Sequence, residues 1–329
     1  MSAYSLIGRA AFAALGLALA SAASAQVVIT QASALAGGVS AGDAPGFPVT
    51  LSETGSYVLG SNLYPPGVSA IQITGSNVSL DLKGFTIDGG GRCSPNGIAP
   101  AVGNTCAGTV AQSWALVDIV APRVRVFNGS IVGSAGDGVS VWGNTASSDQ
   151  VLSGHRLNDL VIAHNRALGL REVDFGGLLR NIRFHLNGQE GAYLSPEAVA
   201  ENVYASRNGY EGVVAVNTLN GRRVTSVLND GSGVFVDSGL LSLAESSGNS
   251  GDGFYGSTDL ANSRASANAG NGVEFSNLAY ETVLLNNGAR SYIASLSGCY
   301  ARLYQRTTSV LTPQVQGGTP LNGSVTACP

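Results

Sequence analysis

Short alternations of apolar and polar residues recur along most of the chain. Val213 and Ala215 alternate with polar or neutral neighbours after a glycine, and Ile182 and Phe184 alternate before an asparagine. A period of two is the pattern of a β-strand whose apolar side chains point inward. No segment carries an apolar stripe at the 3.6-residue period that is long enough for a helix. Each repeat therefore predicts at least two short strands joined by turns.

An asparagine marks each repeat, at intervals of 19 to 22 residues. A glycine follows most of these asparagines four residues later, and self-similarity at this period is typical of a solenoid. Leucine-rich repeats need several leucines per repeat, and hexapeptide helices need a period of about 18 residues, so neither fits as well. The sequence predicts an all-β solenoid. The marking residues are Asn165, Asn187, Asn208, Asn229, Asn249, Asn268 and Asn287.

These asparagines have a physical role in a solenoid. The turns of a coil leave backbone N–H and C=O groups that no strand ladder satisfies. An inward amide side chain both donates and accepts hydrogen bonds, so it satisfies those groups and stacks on the amide one coil away. We expect an internal asparagine ladder.

Composition narrows the possible partners. Charged residues make up only 12% of the chain, which excludes long charged helices, and the net charge is −4 with one lysine, Lys83. This balance gives no overall basic footprint for nucleic acid or anionic lipid. Three scattered histidines, and cysteines without C-x-x-C spacing, predict neither a metal site nor a cofactor.

The N-terminus resembles an export signal. Residues 1–25 contain Arg9, an apolar run from Ala10 to Ala20, and the small-x-small sequence Ala23-Ser24-Ala25 before Gln26. No later stretch approaches the roughly 18 apolar residues of a membrane-spanning helix. We expect an exported protein without an integral membrane segment, in the periplasm or outside the cell.

Cysteine placement agrees with an oxidising compartment. Cys93 and Cys106 lie close together, and Cys299 and Cys328 bracket the C-terminal tail. Four cysteines allow three connectivities, and we favour the two local pairs, Cys93 with Cys106 and Cys299 with Cys328.

Departures from the repeat indicate loops and caps. Ser134 takes the asparagine position 31 residues before Asn165, so about ten extra residues lie between Trp142 and His155. Two similar segments, at 86–89 and 130–133, are 44 residues apart, which predicts a loop of about one coil that contains Cys93 and Cys106.

The chain resembles bacterial right-handed parallel β-helix repeat proteins of the pectin-lyase-like superfamily. The resemblance is carried by the Asn-x-x-x-Gly-Val repeat, by Phe47-Pro48-Val49-Thr50-Leu51 with Gly55-Ser56-Tyr57-Val58-Leu59, and by the segment 77–87. It implies a right-handed parallel β-helix. The superfamily includes polysaccharide lyases, hydrolases, epimerases and adhesins, so the fold names no substrate.

The predicted organisation has four parts. They are a signal peptide at 1–25, an N-terminal cap at 26–50, a β-helix of about ten coils at 51–298, and a C-terminal disulfide-tied cap at 299–329.

One outward column of the repeat carries aromatic residues. It lies six residues after each asparagine and includes Tyr193, Phe235 and Tyr255. Aromatic faces about one to two coils apart suit sugar rings or a protein partner. With Trp142 these residues are the candidate ligand-binding set, and the alternative is packing between neighbouring strands.

A turn column borders these aromatic residues. Glu190 and Glu211 lie three residues after successive asparagines, so they are stacked one coil apart. Close carboxylates suit acid/base catalysis, and Arg171 and His155 complete the candidate catalytic set. Ordinary turn solvation is the alternative. Glu172 falls on an inward position, which predicts a bulge there.

The leading functional hypothesis is an exported, carbohydrate-interacting β-helix protein that is not demonstrably catalytic. One alternative is a polysaccharide lyase or glycoside hydrolase. A second is a structural or adhesive surface protein.

Overall fold

A computed structural model describes residues 26–95, 103–108, 114–142, 154–173, 177–194, 197–274, 279–280, 282–285, 287–288 and 292–293. The predicted signal peptide at 1–25 and the predicted cap at 299–329, with Cys299 and Cys328, lie outside the described residues. Most of the segment between Trp142 and His155 lies outside them as well.

The chain forms a parallel β-solenoid of about nine turns with almost no helix, which confirms the predicted all-β fold and comes close to the ten coils expected. A short helix at Gln31–Ala36 precedes the regular coils. The strands are Val27–Ile29, Val49–Leu51, Gly55–Leu59, Ile71–Ile73, Val78–Asp81, Thr86–Asp88, Arg92–Ser94, Thr105–Ala107, Ala115–Ile119, Arg125–Val132, Asp137–Val141, Arg156–Ala163, Leu170–Glu172, Leu178–His185, Ala192–Leu194, Ala198–Ser206, Val213–Val227, Val234–Ser242, Glu245–Ser247, Phe254–Gly256, Asp259–Ala261, Arg264–Ser266, Val273–Glu274, Ala279–Tyr280, Val283–Leu285 and Tyr292–Ile293.

Each regular coil contributes one strand segment to each of three parallel faces. The first face follows the asparagine and contains rungs such as Ala192–Leu194, paired with residues 213–215. The second face comes next, as where residues 198–201 pair with 219–222. The third face precedes the next asparagine, as where residues 203–206 pair with 224–227. We call the turn from the third face to the first, which holds the asparagine, the Asn corner.

The bend between the second and third faces is made by one residue in the left-handed backbone region. Asp159 and Asn181, with φ of 53° each, interrupt the register of two long strands that continue on both sides of them. Asparagine and aspartate tolerate this conformation better than most residues, because their short polar side chains bond locally. One long strand therefore serves two faces.

The predicted asparagine ladder is present and buried. From Asn165 to Asn287, the side-chain Nδ2 of each asparagine donates to Oδ1 of the next at 2.9 to 3.0 Å. The same Oδ1 accepts the backbone N–H of the preceding asparagine at 3.0 to 3.2 Å. Ser134 takes the asparagine position at the N-terminal end, where its N–H donates to Oδ1 of Asn165 at 3.0 Å.

The stacked amides explain the glycine that lies four residues after six of the seven asparagines. A Cβ at Gly169 or Gly191 would lie 2.8 Å from the Nδ2 of the asparagine in the next coil. The same Cβ would also collide with the next glycine's carbonyl oxygen. The ladder therefore requires glycine because there is no room for a side chain. Conformational freedom is not the reason, since neither Gly169 nor Gly191 has a positive φ.

The packing of the third face changes along the solenoid. On this face the inward residues of successive coils are Ile131, Ile162, Phe184, Ala205, Ser226, Ser246, Ala265 and Leu284. Ser226 and Ser246 are fully buried, and their hydroxyls donate to Gly233 O at 2.6 Å and Gly253 O at 2.7 Å. In these two coils hydrogen bonds replace the aliphatic side chains of the third face.

The predicted loop of one coil is confirmed, because Thr86–Asp88 pairs directly with residues 130–132 across the 44-residue spacing. The loop contains an antiparallel hairpin closed by the predicted Cys93–Cys106 disulfide. The hairpin lies across the Asn corner, where Asn104 Nδ2 donates to Asn187 O at 2.6 Å and Arg207 O at 2.8 Å.

The bulge expected at Glu172 is wrong. Glu172 pairs in regular register with Val141 and is only 2% exposed. The first face therefore continues without interruption through this coil. Among the described residues no helix has both the length and the apolarity needed to cross a membrane.

Candidate functional site

The predicted outward column forms an unbroken row along the first face. Successive rungs pair in register, so each side chain lies directly above the next at the strand spacing of about 4.8 Å. The row consists of Gln72, Asp118, Ser140, Arg171, Tyr193, Val214, Phe235, Tyr255 and Glu274. Its N-terminal members are polar, and its C-terminal members are mostly apolar or aromatic.

Asp118 and Ser140 form an enclosed polar pair in this row. Ser140 is 2% exposed, and neither its Oγ nor Oδ1 of Asp118 has a hydrogen-bond partner among the described residues. Burial raises the pKa of Asp118, and a hydrogen bond from Gln72 opposes that rise. Both atoms are closed to solvent, so they lie beneath the surface of the face, and leaving them unsatisfied costs stability.

Arg171 is the next residue of the row, and Asp137 positions it. Asp137 is 5% exposed, and its Oδ2 accepts a hydrogen bond from Arg171 Nε at 2.6 Å. Its Oδ1 accepts the N–H of Leu168 at 3.0 Å. The guanidinium is therefore held against the first face beside Ser140.

Glu190 and Glu211 lie at the Asn corner beside Arg171, in adjacent coils as predicted. Their carbonyls accept the N–H groups of Gly169 and Gly191. Burial raises the pKa of Glu190, the nearby charges of Glu211 and Asp137 raise it further, and Arg171 opposes them. Arg171 offsets only one of the two carboxylates Asp137 and Glu211, so this part of the face has excess negative charge even where Asp118 and Glu190 hold their protons.

The aromatic part of the row is exposed to different degrees. Tyr255 is 39% exposed, and Tyr193 and Phe235 are half-buried. The rings of Phe235 and Tyr255 stack with centroids 5.2 Å apart and a tilt of 35°. Val214, in contrast, is buried. Packing between neighbours and an accessible aromatic surface therefore coexist in this row.

His155 and Trp142 do not join Arg171 and Glu190. Trp142 follows the last residue of strand Asp137–Val141, at the end opposite the Asn corner, and is 45% exposed. His155 is 2% exposed and directly precedes the second-face strand Arg156–Ala163. The four residues therefore occupy two edges of the first face instead of one catalytic cluster.

The described residues contain no group of three or more histidine, cysteine or acidic side chains placed to hold a metal ion. His164 and His185 lie edge to face with centroids 6.3 Å apart. Burial lowers the pKa of His185, and the charges of Arg183 and His164 lower it further.

The asparagine repeat does not reveal Gln72 and Asp118 as members of the row, because both lie before the first asparagine of the repeat. Their signal is the apolar-polar-apolar triplet, as in Ile71-Gln72-Ile73 and Val117-Asp118-Ile119, which matches Val139-Ser140-Val141. Aligning these triplets instead of the asparagines extends the outward column through the N-terminal coils.

Comparison with known proteins supports the fold. The crystal structure of the periplasmic alginate epimerase AlgG is similar, with a TM-score of 0.53, 14% sequence identity, and coverage of 81% of this chain and 70% of that chain. The likeness shows the parallel β-helix. A mutant of the same epimerase has a TM-score of 0.46 at 15% identity, over 75% of this chain and 64% of its own. No protein-family model matches the sequence, and neither does any functionally curated protein.

Proposed function

We propose that this protein is an exported carbohydrate-binding β-helix whose ligand lies along the first face. The observation that carries the proposal is the continuous outward row, in which the Arg171 side chain is 33% exposed and Tyr255 is 39% exposed. Sugar hydroxyls both donate and accept hydrogen bonds, so they suit the polar part of the row.

The rest of the row supplies the other half of sugar recognition. Tyr193 follows Arg171, and Phe235 and Tyr255 continue the row along the helix axis. Apolar faces of sugar rings pack on aromatic rings, while ring hydroxyls bond to polar side chains. A polysaccharide parallel to the axis contacts polar residues at one end of the row and aromatic residues at the other.

The charges favour a neutral, hydroxyl-rich polysaccharide over an acidic one on this face. Arg171 is already bonded to Asp137, and Glu190 and Glu211 border it. An acidic chain would meet net repulsion here. The structural neighbour is an epimerase of alginate by name, which supports export and a carbohydrate ligand but specifies no substrate for this chain.

Tyr255→Ala tests the binding site after a glycan array has identified the ligand. Because Tyr255 is 39% exposed, the variant is expected to lose only about 1 kcal/mol in the free energy of unfolding, the value of its stacking on Phe235. Glycan affinity is expected to fall about 2- to 12-fold, the equivalent of one lost aromatic contact.

Tyr210→Ala is the matched control, because Tyr210 is 37% exposed but lies outside the row, two residues before Gly212. It is expected to leave affinity unchanged. A Tyr255→Ala protein that keeps its affinity contradicts the proposal, as does a folded wild type that binds no glycan.

A second candidate is catalysis at the same face, either as a glycoside hydrolase or as a lyase. It is favoured by Glu190, a carboxyl whose raised pKa suits a general acid, one coil from Glu211. Glu190→Gln is expected to abolish turnover and retain binding if the protein is an enzyme, measured by reducing-end release and by absorbance of unsaturated products.

A further inference from the structure

The third face carries a group of basic side chains beside the Asn corner, away from the carbohydrate site. Arg183 and His185 point outward from one strand, because Ile182 and Phe184 fill its inward positions. Arg183 is exposed and His185 is half-buried. Arg207 lies in the next coil, at the Asn corner, and is exposed. We call Arg183, His185 and Arg207 the third-face cluster.

Contacts with the next coil hold the cluster in place. Arg183 pairs with Tyr204, and its guanidinium lies 5.1 Å from the centroid of the tyrosine ring. His185 pairs with Ser206, and Nδ1 of the histidine is hydrogen-bonded to the serine Oγ at 2.9 Å. Arg207 follows directly and has a left-handed φ of 53°. The bond through Nδ1 leaves Nε2 of His185 as the ring nitrogen for a ligand.

No carboxylate forms an ion pair with the cluster among the described residues. The rungs on either side of Arg183 and His185 hold Val161 and Ala163, and Tyr204 and Ser206. Arg180, three residues earlier in the same strand, is in contrast paired with Glu201 at 3.4 Å. The fold therefore neutralises one arginine of this strand and leaves the positive charge of the other facing solvent.

The charges that act on His185 are all positive. Burial lowers its pKa most, Arg183, His164 and Arg207 lower it further, and the hydrogen bond with Ser206 opposes them. The His164 ring lies edge to face with the His185 ring, with centroids 6.3 Å apart. Asp88, the carboxylate that interacts with His164, is already bonded to Arg92 at 2.7 Å. An anion at the cluster would therefore meet attraction from every side and relieve this repulsion.

We propose that the third-face cluster binds a phosphate group, at a surface separate from the first face. A phosphomonoester carries about −1.5 to −2 charges at pH 7 and three acceptor oxygens. The donors of the cluster come from two neighbouring coils, from a strand and from a corner, so they suit a tetrahedral anion. A planar carboxylate matches the fork of one guanidinium instead. His185 takes up a proton from solvent as the phosphate binds, because proton and phosphate binding assist each other reciprocally.

An NMR titration of the histidine rings, in inorganic phosphate and in acetate at equal ionic strength, tests the proposal. The chain has three histidines, so each ring signal is assigned by a single substitution. Saturating phosphate is expected to raise the pKa of His185, increasing its proton affinity about threefold or more. Acetate is expected to bind about fivefold more weakly or less. Arg183→Gln is expected to weaken phosphate binding about fivefold or more, the equivalent of one charge-assisted hydrogen bond, and to leave the melting temperature nearly unchanged.

Arg222→Gln is the matched control, because it removes one exposed arginine from the second face. It is expected to change phosphate affinity less than about twofold. Equal losses in Arg183→Gln and Arg222→Gln, a pKa of His185 that phosphate does not change, or an equal response to acetate would each overturn the proposal.

Two further probes distinguish the source of the phosphate group. Glucose 6-phosphate represents a soluble phosphomonoester, and phosphatidylcholine vesicles that contain phosphatidic acid represent a lipid headgroup. The probe from the matching source is expected to bind wild-type protein and to lose affinity in Arg183→Gln. Binding of either probe that Arg183→Gln leaves intact counts against the cluster as the site.

Discussion

The N-terminal and C-terminal coils of this solenoid differ in what fills them. Around Ile131, Ile162 and Phe184 the third-face core is built from large apolar side chains. Around Ser226 and Ser246 it is built from small side chains whose hydroxyls bond to glycine carbonyls. The first face of the same coils still holds the fully buried Phe254. The third face of these two coils therefore depends more on hydrogen bonds at the Asn corner than the third face of the N-terminal coils does.

The two regions also differ in what they present outside. The N-terminal coils carry the Cys93–Cys106 hairpin and the enclosed pair Asp118 and Ser140. The C-terminal coils present an aromatic row and carry no such hairpin among their described residues. The irregular N-terminal coils thus carry the disulfide and the buried polar pair, while the regular coils carry the asparagine repeat. Rigid scaffolds commonly place function on their insertions in this way.

Breaking the ladder is expected to give the largest effect. Asn208→Leu removes the Oδ1 that accepts both the N–H and the Nδ2 of Asn187, and it removes the donor to Asn229. Two buried donors at roughly 1 to 3 kcal/mol each predict a loss of about 4 kcal/mol in the free energy of unfolding, measured by denaturant titration.

Asn202→Leu is the matched control for that loss. Asn202 is exposed, has a left-handed φ of 54°, and donates only to exposed Asn181. The same corner accepts leucine at position 243, where φ is also 54°. The control is expected to cost less than about 1 kcal/mol. Similar losses in both variants would show that the buried ladder contributes no more than a surface amide.

The sequence predicted the ladder and the coil period because both repeat. The asparagine and its glycine recur for a steric reason that each coil meets again, so the pattern is visible without a structure. Asp118 carries no such marker, since outward positions are free to vary from coil to coil. Its place in the row depends on what lies one rung away and on burial, which only the paired strands reveal. Trp142 and His155 were grouped with Arg171 because they are close in sequence, although the strand separates them.

Removing the disulfide is expected to have the second largest effect, and a local one. Cys93→Ser with Cys106→Ser opens a loop with a sequence separation of 13 residues. Loop-closure entropy for such a length predicts a loss of about 3 kcal/mol for opening the hairpin. Hydrogen exchange is expected to accelerate at residues 92–107 and to stay unchanged near Asn249 and Asn268.

Asn104→Ala separates the effect of the disulfide from the effect of the hydrogen bonds that attach the hairpin to the Asn corner. It keeps the disulfide but removes the two hydrogen bonds to Asn187 O and Arg207 O. Hydrogen exchange at residues 92–107 is expected to accelerate less than it does in the double cysteine variant. If acceleration instead spreads evenly over all coils in either variant, the two regions of the solenoid are not independent.

The smallest expected effect concerns the pH dependence that the polar row imposes. Burial raises the pKa of Asp118 in the folded protein, so the native state holds a proton that the unfolded chain has released. The stabilisation that comes from protonated Asp118 is fully present below the unfolded pKa, about 3.8. It is lost as the pH rises through the pKa of the folded protein. Asp118→Asn is therefore expected to be slightly more stable than wild type at pH 7, by less than about 1 kcal/mol after solvent screening, and equal to it at pH 3.

Asp88, in the same region, is expected to change stability with pH in the opposite direction. Hydrogen bonds from Arg92 hold the pKa of Asp88 below its usual range, against the effect of burial. Its contribution is present above the unfolded pKa and is lost as the pH falls through the folded pKa. Asp88→Asn is therefore expected to be less stable than wild type at pH 7, with the difference closing in acid. Thermal melts of both variants from pH 3 to 7 measure the two slopes. Because Asp88 is paired and Asp118 Oδ1 has no hydrogen-bond partner among the described residues, slopes of the same sign would mean that Asp118 has a partner in the folded protein.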